Sequence, residues 1–319
     1  MSATIGIDLG GSNSFAVLYD ADFERRAELK IDTKAREGAA SVVERVAAQV
    51  RELESRVPDL TVTSVGLGVP GVVTGELVRM APNLVWLNFR PLDILRQGIQ
   101  APAVLLNDVN AGLLGELSRF KPGPHSVVAF FCGTGVGGAI YAGGQLLEGW
   151  QGGAGEVGHL TIVPRGKRCA CGRRGCLEAY IGKWALNRRI RKRLRSGKKT
   201  SLRKTIDYNL VKNPVKSATL AKGLAARDRF TRALLLNYCD HLAHAIGLSV
   251  NLLNPEVVLL GGGIMEAMGS DLLVSVEKKL RKYIVNTRPL LELSRLGDYA
   301  GPLGAALYAR DRLSSITSR

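Results

Sequence analysis

Apolar runs and helical periods alternate along this chain. The segments "TIGIDLG" and "SFAVLYD" are apolar runs on either side of "GSN", and this pattern predicts two strands joined by a tight glycine turn. Residues 39–56 repeat apolar positions with a period of about 3.6 residues, which predicts a helix. More strands are expected at "SVGLGVPG", "AVLLNDVN" and "PEVVLLGGG", and more helices at "NAGLLGELSRF", "RALLLNYCDHLAHAIGLSVNLLN" and "GPLGAALYARDRL". Strands alternating with helices predict an α/β fold.

A second strand–turn–strand unit follows in the middle of the chain. It consists of "SVVAFFCGTG" and "GGAIYAGGQLL", so each half opens with the same kind of unit, the first at Gly10 and Gly11 and the second at Gly133 to Gly138. The chain has 319 residues, a length typical of two domains of about 100–200 residues each. The pattern therefore predicts two related α/β halves.

The excess positive charge is concentrated in one segment. The formal net charge is +16, and between Arg188 and Lys204 ten of the seventeen residues are Lys or Arg and none is acidic. Such a segment is typical of a solvated helix face followed by a loop, but it can also contact nucleic acid or another polyanion. Aromatic residues that would stack on bases are not interleaved with these charges, and we find no helix-turn-helix pattern ahead of the first domain. Nucleic-acid binding is therefore the less favoured interpretation.

The cysteine pattern depends on the compartment. No apolar run approaches the ~18 residues of a membrane span, and "MSATIGIDLGG" lacks the features of a secretion signal, so we expect a cytoplasmic protein. Because thiols stay reduced there, three cysteines within "CACGRRGC" predict a metal or catalytic site rather than a disulfide. Cys132 and Cys239 stand alone among apolar residues and are expected in the core.

Three glycine turns follow predicted strands. In "DLGGSN", Gly10 and Gly11 allow backbone N–H groups to approach an anion, and Ser12 and Asn13 add polar side chains. Asp8 at the end of the strand is suited to hold Mg²⁺, although a plain hairpin turn with a solvated carboxylate fits the same letters.

The second and third turns complete a possible nucleotide site. "CGTGVGG" offers a second phosphate cradle, made of Gly133, Thr134, Gly135 and Gly137. Its G-x-G-x-x-G spacing precedes strand-like text instead of a helix, which disfavours a nicotinamide dehydrogenase, and the chain has no P-loop motif. Ligands of open α/β sheets gather at such strand ends, so we assign two turns to phosphates and the third, at Gly261 and Gly262, to adenosine.

Seven segments together resemble the ROK family of sugar kinases in the actin-like ATPase superfamily, and most of all its bacterial glucokinases. In chain order they are "GIDLGGSN", "GLGVPGVV", "LNDVNAGLLGE", "CGTGVGG", "GAGEVGH", "CACGRRGCLE" and "LNPEVVLLGGG". The resemblance implies a two-domain actin-like (ribonuclease H-like) fold with sugar and Mg-ATP in an interdomain cleft, and a homodimer. The implied domains are residues 1–107 with 301–319, and residues 108–300. Some ROK proteins are repressors with a preceding DNA-binding domain, and we do not expect that class here because the chain begins at the first glycine turn.

The resemblance also implies the sugar site. Asp108 matches the catalytic base and Asn107 the neighbouring sugar contact, although position alone would favour Asp108 as a helix N-cap. The other residues that match sugar contacts, or line the opposite wall, are Gly71, Asn83, Glu156, His159 and Glu178. This chain departs from the family at Ser12 and Asn13, where Thr and Lys are usual, and at "PNLVW", which is one residue shorter than "PNLPGW".

The cysteine cluster fits a structural zinc site. Three thiolates and one imidazole form a closed tetrahedral Cys₃His site, and the sequence supplies Cys169, Cys171, Cys176 and His159. We expect the glycines within the cluster to turn the chain between the ligands. A filled site leaves no position for a reactive water, so zinc would fix the start of "LE" and aim Glu178 at the sugar, with one ring nitrogen of His159 on each site. Reduced free thiols are the alternative.

These features predict an ATP-dependent hexose kinase, with glucose as the favoured substrate. Kinases for N-acetylmannosamine, fructose or allose, and a polyphosphate-dependent glucokinase, remain alternatives. A non-catalytic sugar sensor would keep the sugar contacts but would not need Asp108 or the glycine turns, and a nucleic-acid-binding protein would explain only the basic segment. The combination of sugar residues, base and glycine turns favours the kinase.

Overall fold

The computed structural model describes residues 1–197, 199–204, 215–285 and 287–317, without the side chains of 204 and 315–317. The strands within these residues are β1 Ser2–Leu9, β2 Asn13–Asp20, β3 Arg25–Asp32, β4 Thr61–Val69, β5 Val72–Thr74, β6 Leu77–Ala81, β7 Trp86–Phe89, β8 Ala103–Asn107, β9 Ser126–Cys132, β10 Val136–Ala142, β11 Gln145–Leu146, β12 Val257–Gly261 and β13 Leu290–Leu293. The helices are α1 Ala39–Arg56, α2 Pro91–Gly98, α3 Asp108–Leu117, α4 Glu178–Ile181, α5 Lys183–Arg195, α6 Ser217–Ala225, α7 Arg229–Leu253, α8 Gly263–Leu280 and α9 Ala300–Thr317.

Packing within the chain defines two compact units. The first contains Met1–Gly123, Glu148–Ala154 and Leu296–Arg319, and the second contains Pro124–Leu147 and Gly155–Arg295. In the first unit α3 packs against α9. The sequence-based domain boundaries had assigned α3 to the other domain; those boundaries stay a prediction, whereas this packing is observed.

The first unit is built on a five-stranded sheet of order β3-β2-β1-β4-β8. β1 and β2 form the predicted antiparallel hairpin, and β4 and β8 extend the sheet in parallel with β1. The apolar run of β1 is almost entirely buried, as expected for a central strand, whereas β3 at the edge is alternately exposed. Helix α1 buries its 3.6-period stripe, Val42, Val43, Val46, Val50 and Leu53, in the core of this unit.

The second unit repeats the sheet pattern. Its strand order is β11-β10-β9-β12-β13, with β9 and β10 as the antiparallel hairpin and β12 parallel to β9. The core between this sheet and its helices includes Cys132 and Cys239, which are buried as expected. Helix α7 begins at the N-cap Asp228, which accepts the Thr231 N–H at 2.8 Å, and ends at Asn254 in the left-handed conformation.

The basic segment belongs to the second unit. Arg188 to Arg195 lie on α5, and Ser201–Lys204 form a 3₁₀ turn, while Lys198 lies outside the described residues. Helix α5 therefore carries most of the positive charge that the sequence concentrates here.

Candidate active site and metal centre

The first glycine turn joins β1 to β2 and is closed by its own backbone. The Gly10 N–H donates to the Asn13 carbonyl at 2.8 Å, and the Thr33 hydroxyl donates to the Gly10 carbonyl at 2.6 Å. A Cβ on Gly11 would lie 2.7 Å from the Asn83 carbonyl oxygen, so this position requires glycine. The fold thus brings Asn83 against the turn and leaves the side chains of Ser12 and Asn13 exposed.

Asp8 lies at the end of β1 directly before this turn. The pKa of Asp8 is raised from 3.8 to about 7, mainly by burial and also by the nearby Asp108 and Asp298 carboxylates, with Lys30 opposing them. Asp8 pairs with Gly68 on β4, and a Cβ on Gly68 would lie 3.7 Å from the Cα of Asp108, so Asp8 and Asp108 lie near each other in the first unit. A cation beside Asp8 would favour its ionised form, and this donor set fits the expected Mg²⁺.

Asn107 and Asp108 occupy the junction between β8 and α3. The side-chain oxygen of Asn107, Oδ1, accepts hydrogen bonds from the backbone N–H groups of Val109 and Asn110, at 2.9 and 3.0 Å. Asn107 is therefore the N-cap of α3, and Asp108 is the first helical residue instead of the cap. The Asn107 amide group donates to the Gly71 carbonyl at 2.8 Å and to Asp108 Oδ1 at 3.1 Å, so the fold brings these three candidate residues together.

The second glycine turn joins β9 to β10 and is held by a residue from far along the chain. Glu178 Oε2 accepts the Val136 N–H at 3.1 Å. A Cβ on Gly135 would lie 2.4 Å from the same oxygen, so the glycine makes room for this carboxylate. The Gly133 carbonyl accepts the Lys183 N–H at 3.1 Å, which fixes the turn against the start of α5. The residues after the cysteine cluster therefore support the turn containing Thr134 and Gly137 from two sides.

The third glycine turn lies beside the second. β12 is parallel to β9, and Gly261 pairs with Phe131 at the end of that strand. A Cβ on Gly262 would lie 2.6 Å from the backbone of Cys132, and Gly262 is also the N-cap of α8. The two turns expected to hold phosphate and adenosine are therefore neighbours at the carboxyl ends of parallel strands.

The cysteine cluster brings together the four residues expected to bind metal. The ligand atoms of His159, Cys169, Cys171 and Cys176 all lie within 4.8 Å of one another. Cys171 Sγ lies 3.7 Å from Cys176 Sγ, and His159 Nδ1 lies 3.8 Å from Cys169 Sγ. A zinc tetrahedron with Zn–S bonds of about 2.3 Å has edges of about 3.8 Å, so the cluster fits that ion.

The local backbone gives the cluster its shape. Gly172 and Gly175 have φ angles of 88° and 86°, as the expected tight turns require. Burial raises the pKa of Cys169 to about 12. The partly solvated Cys171 has its pKa lowered to about 6, because hydrogen bonds from Arg173 and the neighbouring thiols outweigh its burial. One thiolate is thus available to a metal ion at neutral pH before any proton is displaced.

The structure distinguishes the two ring nitrogens of His159. Nδ1 faces the Cys169 thiol, and Nε2 faces Glu156 Oε2 at 4.0 Å. The imidazole therefore stands between the cluster and the exposed Glu156 carboxylate, within the second unit. The sequence alone does not show which ring nitrogen faces the cysteines; in the structure it is Nδ1.

The sequence profile of the ROK family matches residues 4–312. The chain belongs to the ROK family. A glucokinase from Thermotoga maritima is 34% identical over 97% of this chain and 98% of its own length. Two solved structures of ROK proteins that match nearly the full length of this chain support the same assignment.

Both solved ROK structures match the whole fold. A ROK hexokinase from Thermus thermophilus is 29% identical with a TM-score of 0.82, covering 98% of this chain and 99% of its own. A ROK glucokinase from Streptomyces griseus, solved in complex with glucose and AMPPNP, is 27% identical with a TM-score of 0.82, covering 97% and 99%. The expected α/β fold, that of the actin-like ATPases, is thereby confirmed. Within the described residues, no helix is long and apolar enough to cross a membrane.

Trp184 is a site residue that the sequence analysis of this ROK chain missed. Its indole N–H donates to Glu178 Oε1 at 3.4 Å, and the Cys169 thiol approaches the same oxygen at 3.7 Å. Glu178 thus connects the cysteine cluster, α5 and the second glycine turn. The sequence does place Trp184 only six residues after Glu178, close enough for the indole N–H to reach that carboxylate.

Proposed function

We propose that this protein is an ATP-dependent glucokinase, which transfers the γ-phosphoryl group of Mg-ATP to the 6-hydroxyl of glucose. The observation that carries this proposal is the similarity to the Thermotoga maritima glucokinase over nearly the whole of both chains. The Streptomyces griseus relative solved with glucose and AMPPNP supports the same pair of substrates.

Asp108 is the general base in this proposal. Its Oδ1 accepts hydrogen bonds from the Val109 N–H, at 2.8 Å, and from the Asn107 amide, which orient the carboxylate at the start of α3. The ionised carboxylate takes the proton of the sugar hydroxyl while that oxygen attacks the γ-phosphorus and the bond to ADP breaks. Asn107 acts beside it as a sugar contact and as the residue that fixes its orientation.

The glycine turns and Asp8 bind the nucleotide. Gly10 to Asn13 and Gly133 to Gly137 hold the phosphates, and Gly261 with Gly262 faces the adenosine. Asp8, a partly buried carboxylate beside other acids, would hold Mg²⁺, and the ion would supply countercharge to the phosphates. Phosphoryl transfer depends mainly on such positioning and charge neutralisation.

Zinc has a structural role in this proposal. Cys169, Cys171, Cys176 and His159 Nδ1 fill four positions, so no exchangeable position remains for catalysis. The four ligands would hold zinc and so fix the loop that presents Glu178, while Nε2 of His159 and the Glu156 carboxylate would meet the sugar hydroxyls. Glu178 Oε2 accepts the Val136 N–H and keeps acceptor capacity for a sugar hydroxyl. Gly71 and Asn83 are the remaining residues proposed as sugar contacts.

The protein is proposed to act in the cytoplasm as a homodimer. Thiolate ligands persist in a reducing compartment, which is the physical basis of the cytoplasmic assignment. Light scattering on the purified chain tests the dimer, and a mass of about 34 kDa, that of one chain, would contradict it.

A substrate panel tests the function. ADP release is measured with glucose, N-acetylmannosamine, fructose and allose, and each sugar is also tested with polyphosphate as donor. We expect the highest kcat/KM for glucose with ATP. Sugar binding without ADP release from any hexose would contradict the kinase and favour a sensor, and a faster reaction with polyphosphate would overturn the choice of donor.

A further inference from the structure

A basic cavity lies in the second unit, formed by residues none of which belongs to a glycine turn. Its volume is about 590 Å³, and its lining includes four cations, Lys167, Arg188, Arg189 and Lys192, but no Asp or Glu. Three of these cations lie on α5, where Arg188 and Lys192 are separated by one helical turn. Like charges at this spacing destabilise a helix, so the arrangement has a cost that folding alone does not explain.

Neighbouring groups hold the wall of this cavity in place. The Arg189 guanidinium donates to Asn237 on α7. The Lys167 N–H donates to the Tyr180 hydroxyl at 2.9 Å, and the Lys167 ammonium lies 4.4 Å from the centre of the Tyr180 ring. The side chains of Lys167 and Arg189 are thus positioned before any ligand binds, which lowers the entropy lost on binding.

Among the described residues that line the cavity, none carries a negative charge that would neutralise these cations. His241 lines the same wall, and burial, together with Lys167 and Arg189, lowers its pKa to about 4, against the opposing effect of Asp240. The Asp240 carboxylate pairs instead with Lys279 at 3.2 Å. A pKa this low leaves His241 uncharged at pH 7, so the positive charge of the lining comes from Lys167 and the three cations of α5.

We propose that this cavity binds a small phosphorylated anion with at least two negative charges. Guanidinium forks and a lysine ammonium are the groups that recognise phosphate oxygens. A concave volume of about 590 Å³ matches a small molecule rather than a nucleic-acid duplex. The site is additional to the proposed kinase reaction and does not depend on it.

Calorimetry with the full chain tests the site. Inorganic diphosphate is titrated into protein saturated with glucose and Mg-AMPPNP, so that the glycine turns are already occupied. We expect one saturable site per chain, and a higher melting temperature in the presence of diphosphate. A parallel titration with glucose 6-phosphate distinguishes inorganic from esterified phosphate as the preferred source.

Charge-reversed variants of α5 provide the controls. Lys192→Glu and, independently, Arg188→Glu are expected to weaken diphosphate binding by about tenfold or more. Arg195→Glu makes the same charge change on an exposed residue of the same helix outside the cavity, and is expected to retain binding within about twofold. Loss of all binding once nucleotide is present, absence of saturation, or equal weakening in all three variants would each overturn the proposal.

Discussion

The two units share a sheet pattern but support their glycine turns in different ways. In each, an antiparallel hairpin is extended by a parallel strand, and the turn lies at the same end of the hairpin. The first turn is closed by the Gly10–Asn13 backbone bond and by Thr33, which directly follows β3 of the same sheet. The second is supported by Glu178, which lies more than forty residues beyond Val136 and directly after the cysteine cluster.

This difference separates local from long-range control. In the first unit, Asp8 belongs to β1, and burial in that strand raises the pKa of its carboxyl group. The Glu178 carboxylate of the second unit follows a loop that contains three of the four residues proposed to bind metal. We therefore expect damage to the first unit to affect chemistry and charge, and damage to the second to affect the shape of its site.

The largest effect is expected from Asp108→Asn. The variant removes the base but keeps a side chain of the same shape, so kcat should fall by about 10²–10⁴-fold while the fold and much of the sugar binding persist. Steady-state kinetics, with circular dichroism as the control for folding, makes the measurement. Turnover near that of the wild type would exclude Asp108 as the base.

A smaller effect, of a different kind, is expected from Cys171→Ala. Losing one of the four ligands should release the zinc and raise the KM for glucose by about 10–100-fold, because Glu178 is no longer held. Nucleotide affinity, measured in the same variant, should change much less. Elemental analysis gives the metal content; about one zinc per wild-type chain is expected, and active protein free of zinc would contradict this role.

The support of the second turn by Glu178 is tested by a pair of glycine variants. In Gly135→Ala the new Cβ would lie 2.4 Å from Glu178 Oε2, whereas in Gly133→Ala it would meet nothing within 4 Å. We expect Gly135→Ala to lower the free energy of unfolding by about 1–3 kcal/mol and Gly133→Ala to leave it nearly unchanged. Urea denaturation of both variants measures the difference; equal effects would show that the contact does not matter.

The smallest effect is expected from Asp8→Asn in metal-free protein. The pKa of Asp8 is raised from 3.8 to about 7, so ionisation of Asp8 costs the folded protein stability. No stability is lost below about pH 4, where Asp8 is protonated in both the folded and the unfolded chain, and the free energy of unfolding falls as the pH rises from 4 toward 7. Asn removes this loss, and the free energy of unfolding of the variant should exceed that of the wild type by about 1–2 kcal/mol at pH 8, because Asp8 is intermediate in exposure and solvent weakens the effect of its burial.

Thermal melts from pH 4 to pH 8 follow the Asp8 effect. Asp59→Asn, a change at an exposed carboxylate of the same unit, serves as the control and is expected to follow the wild-type profile. A constant difference between Asp8→Asn and the wild type at every pH would contradict the assigned pKa.

Much of this protein follows from its sequence, because the deciding signals are local. The apolar run of β1 and the period of α1 predict their elements directly, since burial on one or both faces imposes the spacing. The Cys₃His set could be predicted for the same reason: metal geometry restricts both the ligand types and the short spacing between them. The repeated hairpins were also visible, because glycine is required where the chain turns between apolar strands.

Tertiary structure alone decided what the side chains do. Asn107 rather than Asp108 caps α3, because capping depends on backbone angles at the strand–helix junction that the two adjacent letters do not specify. Glu178 contacts Val136, which lies far away in the sequence, and Trp184, which lies on the next helix. The sequence does not give the distances between these side chains; packing in the folded chain sets them. The sequence favours a solvated helix face for the basic segment. In the structure, part of α5 lines a cavity together with Asn237 and His241 of α7, and Arg189 donates to Asn237.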